Sequence, residues 1–160
     1  MIQRKQTIFL FLALVAVIAC LCLPIGYFEQ AKMGKDLMMS NLMLSSNQTN
    51  SDIVKAVFGE NMVFPLFVTL LICCPLTILT IFKFKNRKLQ ARLCVINIWL
   101  MIIWYALYAA YIFIWQPEGT TMFHVTFAAI LPFIAIIFFI LARKGILADE
   151  KLVRSMDRIR

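Results

Sequence analysis

Four stretches of this 160-residue chain contain no Asp, Glu, Lys or Arg: residues 6–28, 61–82, 93–117 and 119–142. Each exceeds the roughly 20 apolar residues that a helix needs to cross a hydrocarbon layer about 30 Å thick. A helix in a soluble core is shorter and polar on one face. The pattern predicts an all-α membrane protein, a four-helix transmembrane bundle forming one domain over residues 1–160. Its spans are expected at about 7–28, 62–82, 93–115 and 122–142. They are joined by an external loop at 29–61, a cytoplasmic loop at 83–92 and a short external turn, and followed by a cytoplasmic tail at 143–160.

Composition agrees with this layout. Hydrophobic residues make up 62% of the chain and charged residues 15%, against about a quarter charged in soluble domains. The net charge is +8, and its distribution supplies the topology. Thirteen of the 16 Lys and Arg lie ahead of the first span, between the second and third, or after the fourth. Basic residues stay on the cytoplasmic side, so both termini and the central loop are expected inside. That placement accounts for the charge without nucleic acid as a partner. It points instead to a lipid bilayer with anionic headgroups at the cytoplasmic face, and to a multi-pass protein of the bacterial inner membrane.

Polar and special residues within the spans refine the picture. Pro24 removes the helical partner of the Cys20 carbonyl, which predicts a kink near the outer end of the first span. Pro75 and Pro132 fall in the middle of the second and fourth spans, while Pro65 falls in a first turn, where proline is tolerated. Thr69, Thr77 and Thr80 are available to satisfy freed backbone groups or to bond a neighbouring helix. In the third span Asn97, Met101, Trp104, Tyr108, Tyr111 and Trp115 repeat at four and three residues and so share one face. Of these, Asn97, Trp104, Tyr108 and Tyr111 are the candidate intramembrane polar and aromatic seam. A packing seam is the favoured reading, with Asn97 in an interhelical hydrogen bond; an aromatic-lined surface for a lipid, quinone or other apolar ligand is the alternative. Ala106 and Ala110 offer a small patch for close helix approach.

Other motifs are weaker. Val17-Ile18-Ala19-Cys20 resembles a bacterial lipobox, but the apolar run continues beyond the cysteine, which favours a retained span over a lipoprotein signal cut before Cys20. Asn47-Gln48-Thr49 fits the glycosylation pattern. Ser51 is placed to cap a short external helix ending at Gly59. The five cysteines lie in or beside spans without metal-ligand spacing, and His124 has no intramembrane acid as partner, so no metal, cofactor or proton relay is expected.

The polar residues that remain gather at the expected cytoplasmic face. The tail is expected to form a short amphipathic helix after Gly145, with Leu152, Val153, Met156 and Ile159 on one face. Together with the central loop it forms a candidate contact surface of Lys85, Asn86, Arg87, Lys88, Gln90, Arg92, Asp149, Glu150, Arg154, Asp157 and Arg158. Phe84-Lys85-Asn86-Arg87-Lys88-Leu89-Gln90-Ala91-Arg92-Leu93-Cys94 and Asp149-Glu150-Lys151-Leu152-Val153-Arg154-Ser155-Met156-Asp157-Arg158-Ile159-Arg160 resemble the most recurrent segments of a Bacteroidota family of membrane proteins, domain of unknown function 4293. The opening Met1-Ile2-Gln3-Arg4 is similar to its usual start, and Met156 departs from it where a smaller residue is expected. The resemblance implies a four-span inner-membrane protein and no particular activity.

Paired carboxylates, a Ser/His/Asp set and a phosphate-binding glycine loop are all missing from the sequence, so it offers no catalytic constellation. The leading functional reading is a non-catalytic subunit, assembly or regulatory factor that uses the basic loop and tail to meet a membrane-protein partner or a further copy of itself. An oligomeric transporter or channel for a small or apolar solute comes second. A lipid-modifying membrane enzyme comes last.

Overall fold

A computed structural model describes residues 5–30, 36–41, 44–46, 64–84, 86–114 and 120–157. It is mostly helical. Helix α1 covers Lys5–Cys22, α2 Phe64–Phe82, α3 Arg87–Ile114 and α4 Leu131–Asp157. Strands β1 (Pro24–Gln30), β2 (Asp36–Ser40), β3 (Leu44–Ser46) and β4 (Thr120–Val125) form one antiparallel sheet in the order β3-β2-β1-β4. A 3-10 turn at Phe127–Ile130 leads from β4 into α4.

Each helix packs against two others, and the order α1, α2, α3, α4 closes back on α1. The sequence explains the packing through one repeated spacing. The buried residues include Leu10, Ala13, Val17 and Cys20 on α1 and Leu66, Leu70, Cys73, Thr77 and Thr80 on α2. On α3 they are Gln90, Cys94, Asn97, Met101, Trp104, Tyr108 and Tyr111, and on α4 Ala135, Phe139, Ala142 and Ile146. Each of these stripes alternates steps of three and four, the 3.5-residue repeat that keeps one stripe of a helix on its neighbour; Ala16, Thr69 and Ala91 are buried beside them. Alanines at 13, 16, 135 and 142 let α1 and α4 approach closely, which replaces the hydrophobic drive that helices lack among apolar surroundings. Ala106, expected to serve the same purpose, is exposed. It lies two residues beyond Trp104, about 200° around the helix from the buried stripe.

The sheet departs most from the expected layout. The first span was expected to run to residue 28, but α1 stops at Cys22 and the chain turns extended at Pro24. Proline biases its predecessor away from helix and donates no hydrogen bond, so it ends α1 instead of kinking it. Strand β1 then pairs with β2 on one side and β4 on the other. Gly26 is required here, because a Cβ at this position would overlap the Phe123 ring. The fourth span, expected from residue 122, begins as β4, and Pro132 consequently lies in the first turn of α4, where its missing N–H costs nothing.

At the opposite end the helices run longer than expected. Helix α3 starts at Arg87, inside the expected loop, and α4 continues through Gly145 to Asp157. The tail is therefore not a separate short helix but a continuous extension of the preceding one. Gly145 remains helical because α1 crosses against it: a Cβ there would come within 2.8 Å of the Gln6 Cγ. The glycine trades helix propensity for close approach. The expected helix at 51–58, the Asn47 pattern and Trp115 lie outside the described residues.

Two side chains, Asn41 and Tyr108, fasten the sheet to the helices. Asn41, fully buried just after β2, donates from Nδ2 to the Cys20 carbonyl at 2.5 Å and accepts at Oδ1 from the Trp104 indole N–H at 3.1 Å. The Cys20 carbonyl is the one that Pro24 deprives of a helical partner. The Tyr108 hydroxyl and the Thr126 N–H both donate to the Ile25 carbonyl, at 3.1 and 3.2 Å. Replacing Asn41 with alanine strands an indole donor and a carbonyl in the core. At about 1–3 kcal/mol for each orphaned group, Asn41→Ala is expected to lower unfolding free energy in detergent by about 2–6 kcal/mol. Combined with Trp104→Phe, the loss should be less than additive; strict additivity in a double-mutant cycle would show that the two side chains act separately.

Candidate functional site

Polar chemistry concentrates at the end away from the sheet. There the start of α1, the end of α2, the start of α3 and the last third of α4 meet. Lys83, Phe84 and Asn86 form the α2–α3 connection, with the Asn86 N–H bonded to the Lys83 carbonyl at 3.2 Å. Asn86 precedes the first residue of α3, and its carbonyl accepts the Gln90 N–H at 3.0 Å. Asparagine is among the preferred residues at this helix-capping position.

Several residues of the expected contact surface hold this end together. Gln90 is only 4% exposed, and its amide donates to the Thr80 carbonyl at 3.1 Å, in the last turn of α2. The last carbonyls of any helix lack helical partners, so this bond closes a gap that α2 cannot close itself. Arg87 donates to the Asp149 carbonyl at 2.7 Å, and the Asp149 carboxylate accepts from Gln6 Nε2 at 2.5 Å. Asp149 thus ties α1 and α3 to α4. Lys88, Leu89 and Arg92 are exposed, and Glu150 is half-buried. Lys85 and Arg158 lie outside the described residues, as do the side chains of Arg154 and Asp157 on α4.

Between α3 and α4 lies an open groove of about 500 Å³. Lys88 and Arg92 line it from α3, and Arg143, Glu150 and Lys151 from α4. Ala91, Val95 and Leu147 supply its apolar wall. A second groove of about 490 Å³ flanks it and shares Lys88, Arg92 and Glu150. Arg92 is the last charged residue before α3 becomes apolar, and Arg143 the first after the apolar part of α4. Both line the first groove, so the two helices change from apolar to charged at the same level. Lys88, Arg92, Arg143 and Lys151 make no hydrogen bond or ion pair among the described residues.

The structure brings the four residues of the intramembrane seam onto one buried stripe. Asn97 donates to the Leu93 carbonyl at 3.1 Å and accepts at Oδ1 from the Cys73 thiol on α2 at 3.1 Å, with Thr77 Oγ1 at 3.5 Å. Trp104 stacks on Tyr108 with ring centroids 5.2 Å apart, and Tyr105 donates to the Ala129 carbonyl at 2.7 Å. The threonine hydroxyls of α2 bond within their own helix, to the carbonyls of Pro65, Cys73 and Leu76. Every fully buried side-chain nitrogen and oxygen has a hydrogen-bond partner among the described residues. The polar groups of Asn97, Trp104 and Tyr108 are thus engaged with backbone carbonyls or with side chains of neighbouring elements.

Sequence reasoning missed the cluster at the sheet end. Tyr27 and His124 are cross-strand partners, their rings stack 4.9 Å apart, and Glu29 reaches His124 Nε2 at 3.3 Å. Alternating positions on β1 place Tyr27 and Glu29 on one face. The strand signal existed in Thr120-Thr121-Met122-Phe123-His124-Val125, rich in β-branched and aromatic residues, but it lies inside a charge-free run long enough to suggest a span. Among the described residues, no group of three or more His, Cys, Asp or Glu is placed to hold a metal ion.

Large apolar side chains cover the outside of all four helices, among them Phe11, Val15, Leu71, Leu79, Trp99, Ile103, Phe133 and Ile137. Soluble monomers rarely expose apolar patches beyond a few hundred Å². The candidate spans Phe64–Phe82, Arg87–Phe113 and Phe127–Val153 are long and apolar enough to cross a membrane, and Gln6–Cys22 is a shorter apolar helix. Fold and surface define a helical membrane protein with a basic polar end and a small sheet at the other. The chain belongs to the family described as Domain of unknown function (DUF4293), whose model matches residues 2–159. No curated protein matches it.

If Gln90 serves the fold, then Gln90→Leu should destabilise the protein by about 1–3 kcal/mol by orphaning the buried Thr80 carbonyl. Leu89→Ala, at an exposed neighbour, should stay within about 0.5 kcal/mol of wild type. Denaturant unfolding in detergent micelles would compare the two.

Proposed function

We propose that all four helices cross the bacterial inner membrane as one bundle, with both termini and the basic end in the cytoplasm. Helix α1, at 18 residues, rises about 27 Å. The extended backbone after it gains about 3.3 Å per residue, so Leu23 and Pro24 complete a crossing of about 30 Å. Cleavage before Cys20 would remove Leu10, Ala13 and Val17 from the buried core, which supports retention of this segment.

Within that frame the protein acts as a non-catalytic subunit, assembly or regulatory factor, and its basic end meets a membrane-protein partner. The observation that carries this reading is the division of labour among the charged residues. Arg87 and Asp149 fix the ends of the helices to one another, while Lys88 and Arg92 stay exposed beside them. The anchored residues make the end rigid, and the exposed ones present charge on it. A rigid surface loses less entropy when it binds.

A reporter fused after Arg160 is expected to be active only in its cytoplasmic form; periplasmic activity would overturn the orientation. The tagged protein, extracted in mild detergent, is expected to retain a stoichiometric partner that Lys85→Ala/Lys88→Ala releases. Arg87 is left intact because its guanidinium holds α4. Recovery of a homo-oligomer that conducts solute after reconstitution would reject the regulatory reading in favour of transport.

A further inference from the structure

The α3–α4 groove combines features that neither topology nor helix packing requires. Its cations come from two helices at the level where both turn apolar. Two are arginines, Arg92 and Arg143, whose planar forks suit the oxygens of a phosphodiester better than lysine's point charge does. The groove's apolar wall of Ala91, Val95 and Leu147 lies beside them. A soluble anion has no use for such a wall, whereas a lipid presents a phosphate and an acyl chain together. One carboxylate, Glu150, lies near Lys88 and Lys151. It can accept from a headgroup hydroxyl and disfavours a cluster of several phosphates.

We infer that this groove is a binding site for one anionic glycerophospholipid with a hydroxylated headgroup, of the phosphatidylglycerol class. Arg92 and Arg143 hold its phosphodiester, Lys88 and Lys151 flank the headgroup, and an acyl chain lies along Val95. This rests on the proposed membrane orientation, which places the groove at the cytoplasmic headgroup layer. It goes beyond general attraction of basic residues to an anionic leaflet, because it assigns one lipid to one groove. Basic pockets between helices at the cytoplasmic face are a recurrent way of holding anionic lipids.

The test uses the full chain, delipidated in a neutral detergent, with native mass spectrometry after addition of phosphatidylglycerol or phosphatidylcholine. One phosphatidylglycerol is expected to bind in preference to phosphatidylcholine. Arg92→Gln/Arg143→Gln should weaken that binding about tenfold or more, the loss of at least one charge-assisted bond. Lys83→Gln/Lys144→Gln removes the same charge outside the groove and should leave it unchanged. Arg92→Lys/Arg143→Lys, which keeps the charge and the fold but loses the forks, should fall between the two. Equal affinity for both lipids, or equal loss in the two glutamine variants, would overturn the inference. So would displacement of the lipid by millimolar glycerol phosphate, which would make the occupant a soluble phosphate, or cross-linking of Arg92→Cys to a second copy of the chain. Alkaline extraction of membranes separates the two levels of argument. A protein that stays in the membrane yet shows no lipid preference sinks this inference alone, and one washed from the membrane sinks the orientation as well.

Discussion

The Cys20 carbonyl, left without a helical partner by Pro24, sets the terms for one end of the molecule. An unpaired carbonyl in a buried, apolar setting costs several kcal/mol, so something must donate to it. Asn41 does so, and the same amide accepts the Trp104 indole N–H. One side chain just after β2 thereby links the end of α1 to the Trp104 of α3 that stacks on Tyr108. Tyr108 in turn bonds the Ile25 carbonyl at the start of the sheet. The helix end forced by a proline has become the attachment point of the strands that follow it.

The other end solves the same problem with different residues. Gln90 reaches across from α3 to donate to the Thr80 carbonyl in the last turn of α2. Gln6, Arg87 and Asp149 then fasten three helices together with two hydrogen bonds. Between the two ends, the helices meet through stripes of 3.5-residue period. The largest side chains of those stripes, Trp104 and Phe139, are fully buried. Polar groups inside the molecule are few and satisfied, as an apolar environment demands.

This separation gives the basic end its character. Residues that bind the helices to one another are buried or engaged, and residues left over are cationic, exposed and arranged around a groove with an apolar wall. A surface of that composition, at the level where two helices change from apolar to charged, is suited to contact at a membrane boundary. The Gln90 position, which the distribution of charge leaves unexplained, finds its reason in the bond that its amide makes to the last turn of α2.

By itself the sequence determined the helical class, the placement of α2 and most of α3, and the buried face of α3, because charge-free length and 3.5-residue periodicity are local properties of a chain. The asymmetry of its charges marked which end would be polar. Four strands escaped it. Residues 24–28 and 120–125 carry no Asp, Glu, Lys or Arg and so read as parts of charge-free runs, and the partners in this pairing lie about 95 positions apart in the chain. The roles of Asn41, Gln90 and Asp149 escaped it as well, since each depends on a backbone carbonyl or side chain brought close only by packing. Gly145, which in isolation reads as the break between span and tail, lies within a continuous helix at a point where Gln6 of α1 leaves little room for a side chain. Local pattern fixed which segments avoid water; tertiary structure decided how their ends are closed, and hence which charges remain free to meet something else.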